Sequence, residues 1–517
     1  MLRFSDERAL PDLDSNIKCG NSLISWDIID EKPDLTKEEL QRINPFDWQR
    51  EFLEVFERGG FDIVIGNPPY IRIQTMKDWA PLEVDLYKQK YAAASKGNYD
   101  IYVIFVEKGL NLLNEKGRLG FIMPHKFFNA QYGKPLRTLL SINRYLSEIV
   151  HFGYQQVFAG ATTYTCLLFL SKIGSEKFRF IKVDDINDWR TSGRAQEGEI
   201  CAYTAEQGDW NFSVGTNIKL IEKLDKFATR LGDLAHIFVG TQTSAEDVFV
   251  ISQCRFGNSH TVGFSKALNK EVRVESAITK PFLRGKQIRR YELTRVNIRL
   301  ICPYKINENS FRLLTPIEMR QNYPMTMEYL ESAKESLTMR ENGRFSKDNW
   351  YAFGYPKSMT LFQKPKIVVP DYNNSASFAF DDQGYFYKTG YGILLEHELL
   401  SPFYILGLLN SPLLFQYLRS ISTSLRGGYI RFWTQYLEKI PIRTIDFSDP
   451  HDIASHDRMV SLVQTMLDLH KQLVEPKGGH ERTLLQRQIE ATDRQIDTLV
   501  YELYGLTEEE IKIVEGS

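Results

Sequence analysis

The chain has 517 residues, of which 43% are hydrophobic and 25% are charged, and its formal net charge is −2. This composition is typical of a globular protein and excludes a global excess of positive charge that would attract a polyanion. Any surface for nucleic acid must therefore be local.

The cysteines are far apart and form no Cys-x-x-Cys pair: Cys19, Cys166, Cys201, Cys254 and Cys302. This spacing predicts neither a zinc site nor a disulfide framework, and it favours a reducing cytoplasm. We predict no bound metal. The first residues, MLRFSDERALPDLDSN, lack the apolar core of a signal peptide. No later segment approaches the roughly 20 apolar residues of a membrane span, so we expect no membrane association.

Residues 1 to 175 alternate strand-like and helix-like segments. FDIVI at 61–65 is a short apolar run that predicts a strand, and 98–117 has helical spacing and ends at a glycine. RLGFIMP at 118–124 and TTYTCLLFLSK at 162–172 predict two further strands. Strand, helix and strand in this order predict an α/β unit with a parallel sheet.

The pattern changes after about residue 230. Short strands, many aromatic residues and frequent glycine or proline predict a β-rich α+β domain as far as residue 445. Two polar segments of helical spacing then flank EPKGGH at 475–480 and predict a helical hairpin. We therefore expect three domains, 1–225, 226–445 and 446–517.

A turn with two prolines, Asn-Pro-Pro-Tyr at 67–70, directly follows the FDIVI strand. Proline fixes φ and has no backbone N–H, so this turn offers acceptors without competing donors. The Asn67 side-chain oxygen and the Pro68 carbonyl suit both hydrogens of a planar amino group, and Tyr70 offers a ring face. The alternative is a rigid loop that merely ends a core strand.

The string FDIVIGNPPY closely resembles the adenine-N6 DNA methyltransferases of the Eco57I and TaqI type, in which a target adenine is flipped out of the duplex. The resemblance implies a partial Rossmann-like methyltransferase sheet in which Asn67, Pro68, Pro69 and Tyr70 form the catalytic turn. It also implies that S-adenosylmethionine is the cofactor. NIKCGNSL at 16–23 implies that Asn21 contacts the cofactor's adenine, although many relatives have aspartate there. Phe105 in NYDIYVIFVEKG would pack on that adenine, and Phe158 in QQVFAGATTYTCLLFL would contact the flipped base.

The glycine-rich cofactor turn that these folds place after a first strand is not found before Asn67. We therefore expect the chain to be the C-terminal part, or one subunit, of a larger enzyme. An upstream chain would carry the glycine-rich motif. FDIVI would otherwise be an open sheet edge, which invites aggregation. No nuclease motif is recognised, and any nuclease would also lie upstream.

The second domain contains a basic cluster in TKPFLRGKQIRRY at 279–291: Lys280, Arg284, Lys286, Arg289 and Arg290. Such a cluster in a near-neutral chain suits phosphate or guanine contacts, and the alternative is an ordinary solvated face. The order of segments from 231 to 510 resembles the TaqI-like specificity domain and tail of Type IIG restriction-modification enzymes. Gly240, Thr241 and Gln242, together with Arg426 and Arg431, would contact double-stranded DNA from loops.

The leading interpretation is an adenine-N6 DNA methyltransferase of a restriction-modification system, present as a fragment or split subunit. One alternative is a non-catalytic DNA-binding specificity subunit or an inactive remnant. Another is a glutamine-N5 protein methyltransferase, since the same turn also serves a planar amide. The large region 226–445 argues against that second alternative.

Overall fold

The structure is a computed structural model. It describes residues 16–158, 163–212, 214–215, 218–294, 297–345, 349–397, 399–423, 425–474 and 478–516. The described residues divide into two compact units, Met1–Thr216 and Asn217–Ser517. Each unit is built around its own hydrophobic core.

The first unit contains a six-stranded mixed sheet. Its strands, β1 to β6, are Phe61–Gly66, Leu113–Pro124, Leu146–His151, Thr165–Ser171, Lys177–Lys182 and Gln196–Cys201, in the spatial order β1-β2-β4-β3-β5-β6. β1 is parallel to β2, and β3 is parallel to β5. β4 is antiparallel to both of its neighbours, β2 and β3.

The α/β class is confirmed, but the prediction of a purely parallel sheet is wrong at β4. The described residues between β3 and β4 contain no helix. Parallel neighbours require a crossover, usually helical, whereas strands joined without one run antiparallel. The predicted helix at 98–117 is also shorter than expected. Leu113 pairs with Phe61, so β2 begins there and not after the glycine.

The helices of the first unit, α1 to α9, are Ile28–Glu31, Lys37–Ile43, Trp48–Glu51, Leu53–Glu57, Ile73–Met76, Pro81–Lys90, Tyr102–Leu112, Lys134–Ile142 and Ile186–Ser192. The main core lies between α7, α8 and one face of the sheet, where Leu110, Leu119, Leu136 and Leu168 are buried. α7 lies very close to this face. A Cβ at Gly109 would come within 2.6 Å of a Leu119 methyl carbon, so a glycine is needed at this position.

The opposite face of this sheet is only partly covered. Near β3 and β5, Val150 and Ile181 pack with Trp189 of α9. Near β1, β2 and β4, the side chains of Ile63, Ile65 and Phe169 are 65%, 80% and 36% exposed. Ile65, Gly120 and Phe169 follow one another across β1, β2 and β4. β1 is also an edge strand of the described sheet, so an apolar face and a free backbone edge coincide.

The second unit has more and shorter elements. Its strands, β7 to β22, are Ala235–Val239, Val250–Phe256, His260–Ser265, Lys270–Glu275, Thr279–Leu283, Ile288–Arg289, Glu292–Leu293, Arg299–Ile301, Tyr304–Ile306, Phe311–Leu313, Lys366–Val369, Tyr372–Asn373, Ala379–Asp381, Phe386–Tyr387, Tyr391–Leu395 and Ile430–Arg431. Its helices, α10 to α21, are Ile218–Asp225, Leu231–Leu234, Glu246–Phe249, Pro316–Asn322, Pro324–Ser332, Lys334–Thr338, Pro402–Asn410, Pro412–Ile421, Thr434–Leu437, Pro450–Val474, Gly479–Leu503 and Glu508–Glu515.

The main sheets of this unit have six strands, in the order β10-β9-β8-β14-β11-β20, and four strands, in the order β19-β17-β21-β7. The Lys366 ammonium and the Asp381 carboxylate form an ion pair at 2.5 Å between β17 and β19, and both side chains are fully buried. Since an unpaired buried charge is costly, this pair favours one register for the two strands.

The predicted helical hairpin is confirmed as α19 and α20. Met459 of α19 and Ile496 of α20 share a core with Tyr404 of α16. A Cβ at Gly407 of α16 would lie 2.5 Å from the Met459 sulfur, so glycine allows this close approach. Both α10 and the tail thus belong to the second unit, and the division into three domains stays a prediction. Among the described residues, no helix is long and apolar enough to cross a bilayer.

The exposed face of β1 leads to a first prediction. Replacing Ile63 and Ile65 together with threonine should reduce concentration-dependent self-association, because threonine keeps β propensity while removing exposed apolar area. The melting temperature should stay within about 2 °C of the unmodified chain, since exposed substitutions rarely change stability by more than about 0.5 kcal/mol.

Light scattering over a concentration series and thermal unfolding measure the two effects. Val64→Thr is the matched control, because Val64 packs into the core and its substitution should lower the melting temperature. Unchanged self-association of the double variant would contradict this role of the exposed face.

Candidate active site and nucleic-acid interface

Three loops meet at one edge of the first sheet. β1 and β2 are parallel, with Gly66 opposite Phe121, and they end before 67–70 and 125–128. β3 runs in the same direction as β2, because both are antiparallel to β4, and it ends before 152–158. The carboxyl edge of an open α/β sheet is where such folds bind ligands. The predicted turn and the segment ending at Phe158 therefore share one candidate site.

The turn at 67–70 is anchored at its tyrosine. Asn67 is exposed, Pro68 is buried and Tyr70 is half-buried. The Tyr70 hydroxyl donates to the Ile122 carbonyl at 3.1 Å, and its ring meets Tyr102 edge-on at a centroid distance of 6.5 Å. Burial raises the pKa of Tyr70 to about 12, so the hydroxyl remains a donor. The ring is thus held in place while Asn67 stays accessible.

The chain after this turn pairs with the residues that lead into α7. Ile101 N–H donates to the Ile71 carbonyl at 2.8 Å, and Ile73 N–H donates to the Tyr99 carbonyl at 2.9 Å. Sequence reasoning missed this support. The sequence carries no signal for it, because the pairing joins backbone groups about 30 residues apart.

A polar network lies beside that pairing. The Tyr132 hydroxyl is 2.8 Å from the Tyr102 hydroxyl and donates to Asp100 Oδ2 at 3.3 Å. Burial raises the pKa of Asp100, while Lys126 and Arg72 act in the opposite direction. These bonds connect the start of α7 with the segment that follows β2.

The two predicted cofactor residues lie near the same helix. Asn21 Oδ1 accepts the Leu23 N–H at 3.2 Å, so Asn21 stabilises its own turn. The Tyr91 hydroxyl donates to the Leu23 carbonyl at 2.7 Å, and Glu107 of α7 accepts the N–H groups of the two residues after Tyr91, Ala92 and Ala93. Phe105 is half-buried on α7 between Tyr102 and Glu107. α7 therefore links the 67–70 turn with the Asn21 segment, and the cofactor roles of Asn21 and Phe105 stay predictions.

Phe158 is half-buried and directly precedes 159–162, which lie outside the described residues. The base of its loop is held by two histidines in contact, His125 and His151, with ring centroids 4.2 Å apart and ring planes inclined by 49°. The Gly153 N–H donates to His151 Nδ1, and the Gly153 carbonyl is 3.1 Å from His125 Nε2. Burial lowers the pKa of both imidazoles, so both are neutral near pH 7.

A buried guanidinium fixes the segment after β2. Arg137 donates to the carbonyls of Phe127, Ala130 and Gly208 at 2.6, 2.9 and 2.9 Å. It also pairs with Asp209 at 2.8 Å, and its side chain is only 5% exposed. Burial lowers the pKa of Arg137, while Asp209 raises it. One charge thus joins three backbone segments beside the candidate site.

The basic cluster of the second unit is only partly exposed. Arg284, Lys286 and Arg289 are exposed, whereas Lys280 is half-buried on β11. Glu246 lies 3.6 Å from Arg284 and 3.0 Å from Lys388. These three side chains line an open cleft of about 1040 Å³. DNA binding by the exposed members stays a prediction.

Arg290 requires a revised interpretation. Its Nη2 lies 2.7 Å from Asp493 and 3.3 Å from Asp497, both on α20. Burial and these carboxylates hold Arg290 in an internal ion pair that joins the basic turn to the tail. The sequence around Arg290 alone could not reveal this, because its partners lie about 200 residues further along the chain.

The loop after β7 was expected to contact DNA through Gly240, Thr241 and Gln242, but two of these residues lie in packed surroundings. A Cβ at Gly240 would lie 2.4 Å from the Tyr387 carbonyl oxygen, so this glycine serves close backbone packing. Thr241 is fully buried, and its hydroxyl donates to the Tyr355 carbonyl at 3.4 Å. Both residues are therefore structural. Gln242 has its backbone paired with Tyr355 and its side chain exposed, as a DNA-reading residue would require.

The structure describes the side chain of only one of the two arginines in the SLRGGYIRF segment, Arg431. Arg426 begins the short 3₁₀ turn Arg426–Gly428, and its side chain lies outside the described part of the structure. Arg431 is on β22, is ion-paired with Asp371 and lies against two aromatic rings.

Comparison with known families matches two separate regions of the chain. Residues 3–158 match the Eco57I restriction-modification methylase. Residues 280–442 match the TaqI-like C-terminal specificity domain. One region of the chain is similar to the Eco57I methylase, and another is similar to the TaqI-like specificity domain. The resemblance predicted from the sequence motifs is thereby confirmed.

Curated relatives of the methylase region and specificity domain include RM.Eco57I of Escherichia coli, a Type II restriction enzyme and methyltransferase. It is 29% identical over 97% of this chain and 50% of its own length. The Type II methyltransferase M.PaeR7I of Pseudomonas aeruginosa is 25% identical over 91% of this chain and 75% of its own length. The chain thus spans half the length of RM.Eco57I.

Among solved structures, the Type IIL restriction-modification enzyme MmeI in complex with DNA has a similar fold. The TM-score is 0.55 at 12% identity, and the similarity covers 95% of this chain and 62% of MmeI. At this identity the likeness concerns the fold alone.

The buried cluster around Arg290 leads to a second prediction, on pH. Burial raises the pKa of Asp497 to about 7, well above its ordinary value. Between about pH 4 and 7 the folded state then binds more protons than the unfolded chain, so stability falls as the pH rises towards 7 and levels off above it. Asp497→Asn should remove this loss, which is at most about 1.4 kcal/mol per pH unit for one proton.

Urea unfolding at pH 5, 6, 7 and 8 measures the effect. Asp468→Asn on α19 is the matched control, since Asp468 is exposed and pairs with Lys471. An Asp497→Asn variant with the same pH dependence as the unmodified chain would contradict the assignment.

Proposed function

We propose that this chain provides the target-base site and the DNA-reading domain of an adenine-N6 DNA methyltransferase of a restriction-modification system. The observation that carries the proposal is the Asn67–Tyr70 turn at the carboxyl edge of β1, beside the loops that end at Phe158 and follow β2. The matches to an Eco57I-type methylase and to Type II methyltransferases support it.

In this proposal the target adenine leaves the duplex, because its amino group is otherwise paired. Asn67 Oδ1 and the Pro68 carbonyl accept the two amino hydrogens, which increases the electron density on the nitrogen. Tyr70 stacks on the purine, and its bond to Ile122 sets the orientation of the ring. Phe158 supports the opposite side. Orientation and fixed dipoles supply most of the rate increase.

S-adenosylmethionine, when bound, supplies the methyl group as a sulfonium. Asn21 and Phe105 fit its adenine end, since an amide edge and a half-buried ring suit a purine. Among the described residues before β1, none form a strand followed by a glycine-rich turn. The residues described therefore fit one end of the cofactor only.

We further propose that an upstream polypeptide covers β1 and carries the glycine-rich cofactor turn. The free edge of β1 and the exposed Ile63 and Ile65 support this. A strand added at that edge would satisfy the backbone groups and bury the apolar face. The same observations favour the second candidate function, a DNA-binding specificity subunit that does not itself hold the cofactor.

The third prediction concerns Asn67. In the reconstituted enzyme, Asn67→Ala should lower the methylation rate by about 10² to 10³-fold, the range found when one preorganised polar group is removed from an active site. Duplex affinity should stay unchanged. Asn187→Ala, at an exposed asparagine of α9, is the matched control. Incorporation of labelled methyl groups into DNA gives the rate, and an Asn67→Ala enzyme at full rate would refute the assignment.

The fourth prediction separates the two candidate functions. Calorimetric titration of the isolated chain with S-adenosylmethionine should give no measurable binding, and the polypeptide encoded directly upstream should restore it. Ile65→Lys should weaken that complex, because a charge at the covered face is costly. If the combined chains neither bind the cofactor nor methylate DNA while still binding duplex DNA, the specificity-subunit alternative is favoured.

A further inference from the structure

A cationic, aromatic surface on the second unit is not used by the proposed chemistry. Tyr372 on β18 and Arg431 on β22 are cross-strand neighbours. The Arg431 guanidinium carbon lies 5.5 Å from the centre of the Tyr372 ring and 5.4 Å from that of the Trp433 ring. The Tyr372 and Trp433 side chains remain 53% and 38% exposed. We call Tyr372, Arg431 and Trp433 the arginine-aromatic surface.

One carboxylate, that of Asp371, holds two of the three members of this surface. Asp371 pairs with the Arg431 guanidinium and accepts the Trp433 indole N–H at 3.1 Å. The Tyr391 hydroxyl donates to the same carboxylate at 3.5 Å. The Trp433 indole and the Arg431 guanidinium are therefore held in place before any ligand arrives, which lowers the entropy lost on binding.

The Trp433 and Tyr372 rings are also supported from behind. Trp433 stacks on the buried Tyr436 with an interplanar angle of 6°, and Tyr372 contacts Tyr429 at a centroid distance of 5.9 Å. Part of each ring stays exposed beside these contacts, and an exposed aromatic ring offers a π-face to a partner. Such faces bind nucleobases by stacking, with about 1–3 kcal/mol for each base.

The positive charge near this surface also favours a nucleic acid as its ligand. Arg419, which is exposed, donates to the Gly428 carbonyl at 3.3 Å, close to Tyr429. Within the described part of the chain, Asp371 pairs with Arg431, and Arg419 adds a second guanidinium close to this surface. A polyanion with aromatic bases fits a surface that combines guanidinium groups with open rings.

We propose that the arginine-aromatic surface stacks on an unstacked base of the bound DNA. Bases in an intact duplex present only their edges, so a stacking surface requires a base whose stack is broken. Extrusion of a target base breaks the stack of the duplex at one point. The proposal rests on the proposed DNA substrate, and it assigns roles to Tyr372 and Trp433 that neither sequence motif nor catalytic turn implies.

The test compares three labelled DNAs bound by the full chain: a paired duplex, the same duplex with one unpaired base, and the single strand. Fluorescence anisotropy gives each affinity. Tyr372→Ala with Trp433→Ala should weaken binding of the single strand and the unpaired-base duplex by about 5 to 150-fold. The fully paired duplex should lose much less. Tyr372→Phe with Trp433→Phe should retain binding, and Trp79→Ala, at another exposed tryptophan, is the control.

Three results would overturn the inference. They are an equal loss for all three DNAs, no loss for any of them, or no binding of single-stranded or unpaired-base DNA by the unmodified chain. Melting temperatures of the alanine and phenylalanine variants separate a binding defect from misfolding. Methyl transfer by the reconstituted enzyme reports separately on the proposed function, because it depends on Asn67 and is measured on duplex DNA.

Discussion

The parallel pairing of β1 with β2 is the constraint on which the candidate site depends. Because Gly66 lies opposite Phe121, the Asn-Pro-Pro-Tyr turn and the segment after β2 leave the sheet at the same edge. The position of β4 between β2 and β3 then brings the Phe158 loop to that edge as well. A change in the direction of any one of these strands would send its loop to the opposite edge and separate the predicted residues.

Polar side chains hold those loops in place at this edge of the sheet. The Tyr70 hydroxyl, the Arg137 guanidinium and the His125–His151 pair each bind backbone atoms beside the site. Their partners are backbone carbonyl and amide groups, so these hydrogen bonds stabilise the segments beside the site and orient them together. Asn67 remains exposed within this fixed surrounding.

Sequence reasoning predicted β1, the turn after it, the helical hairpin and the two family resemblances. These depend on local patterns, namely an apolar run, adjacent prolines and helical spacing. Sequence reasoning was wrong about residues whose environment is set by partners far away in the chain. Arg290 pairs with carboxylates about 200 residues away, and Thr241 is buried and donates to the Tyr355 carbonyl. The Asp371 carboxylate that fixes Arg431 and Trp433 was invisible for the same reason.

In the proposed function, the first unit binds the target base and the second unit binds the strand that carries it. The most direct test of this account is nucleoside mass spectrometry of DNA after incubation with the chain, its upstream polypeptide and S-adenosylmethionine. The account predicts N6-methyladenine, formed about 10² to 10³-fold more slowly by the Asn67→Ala variant. N4-methylcytosine, or methylated glutamine in a protein with unmodified DNA, would contradict it.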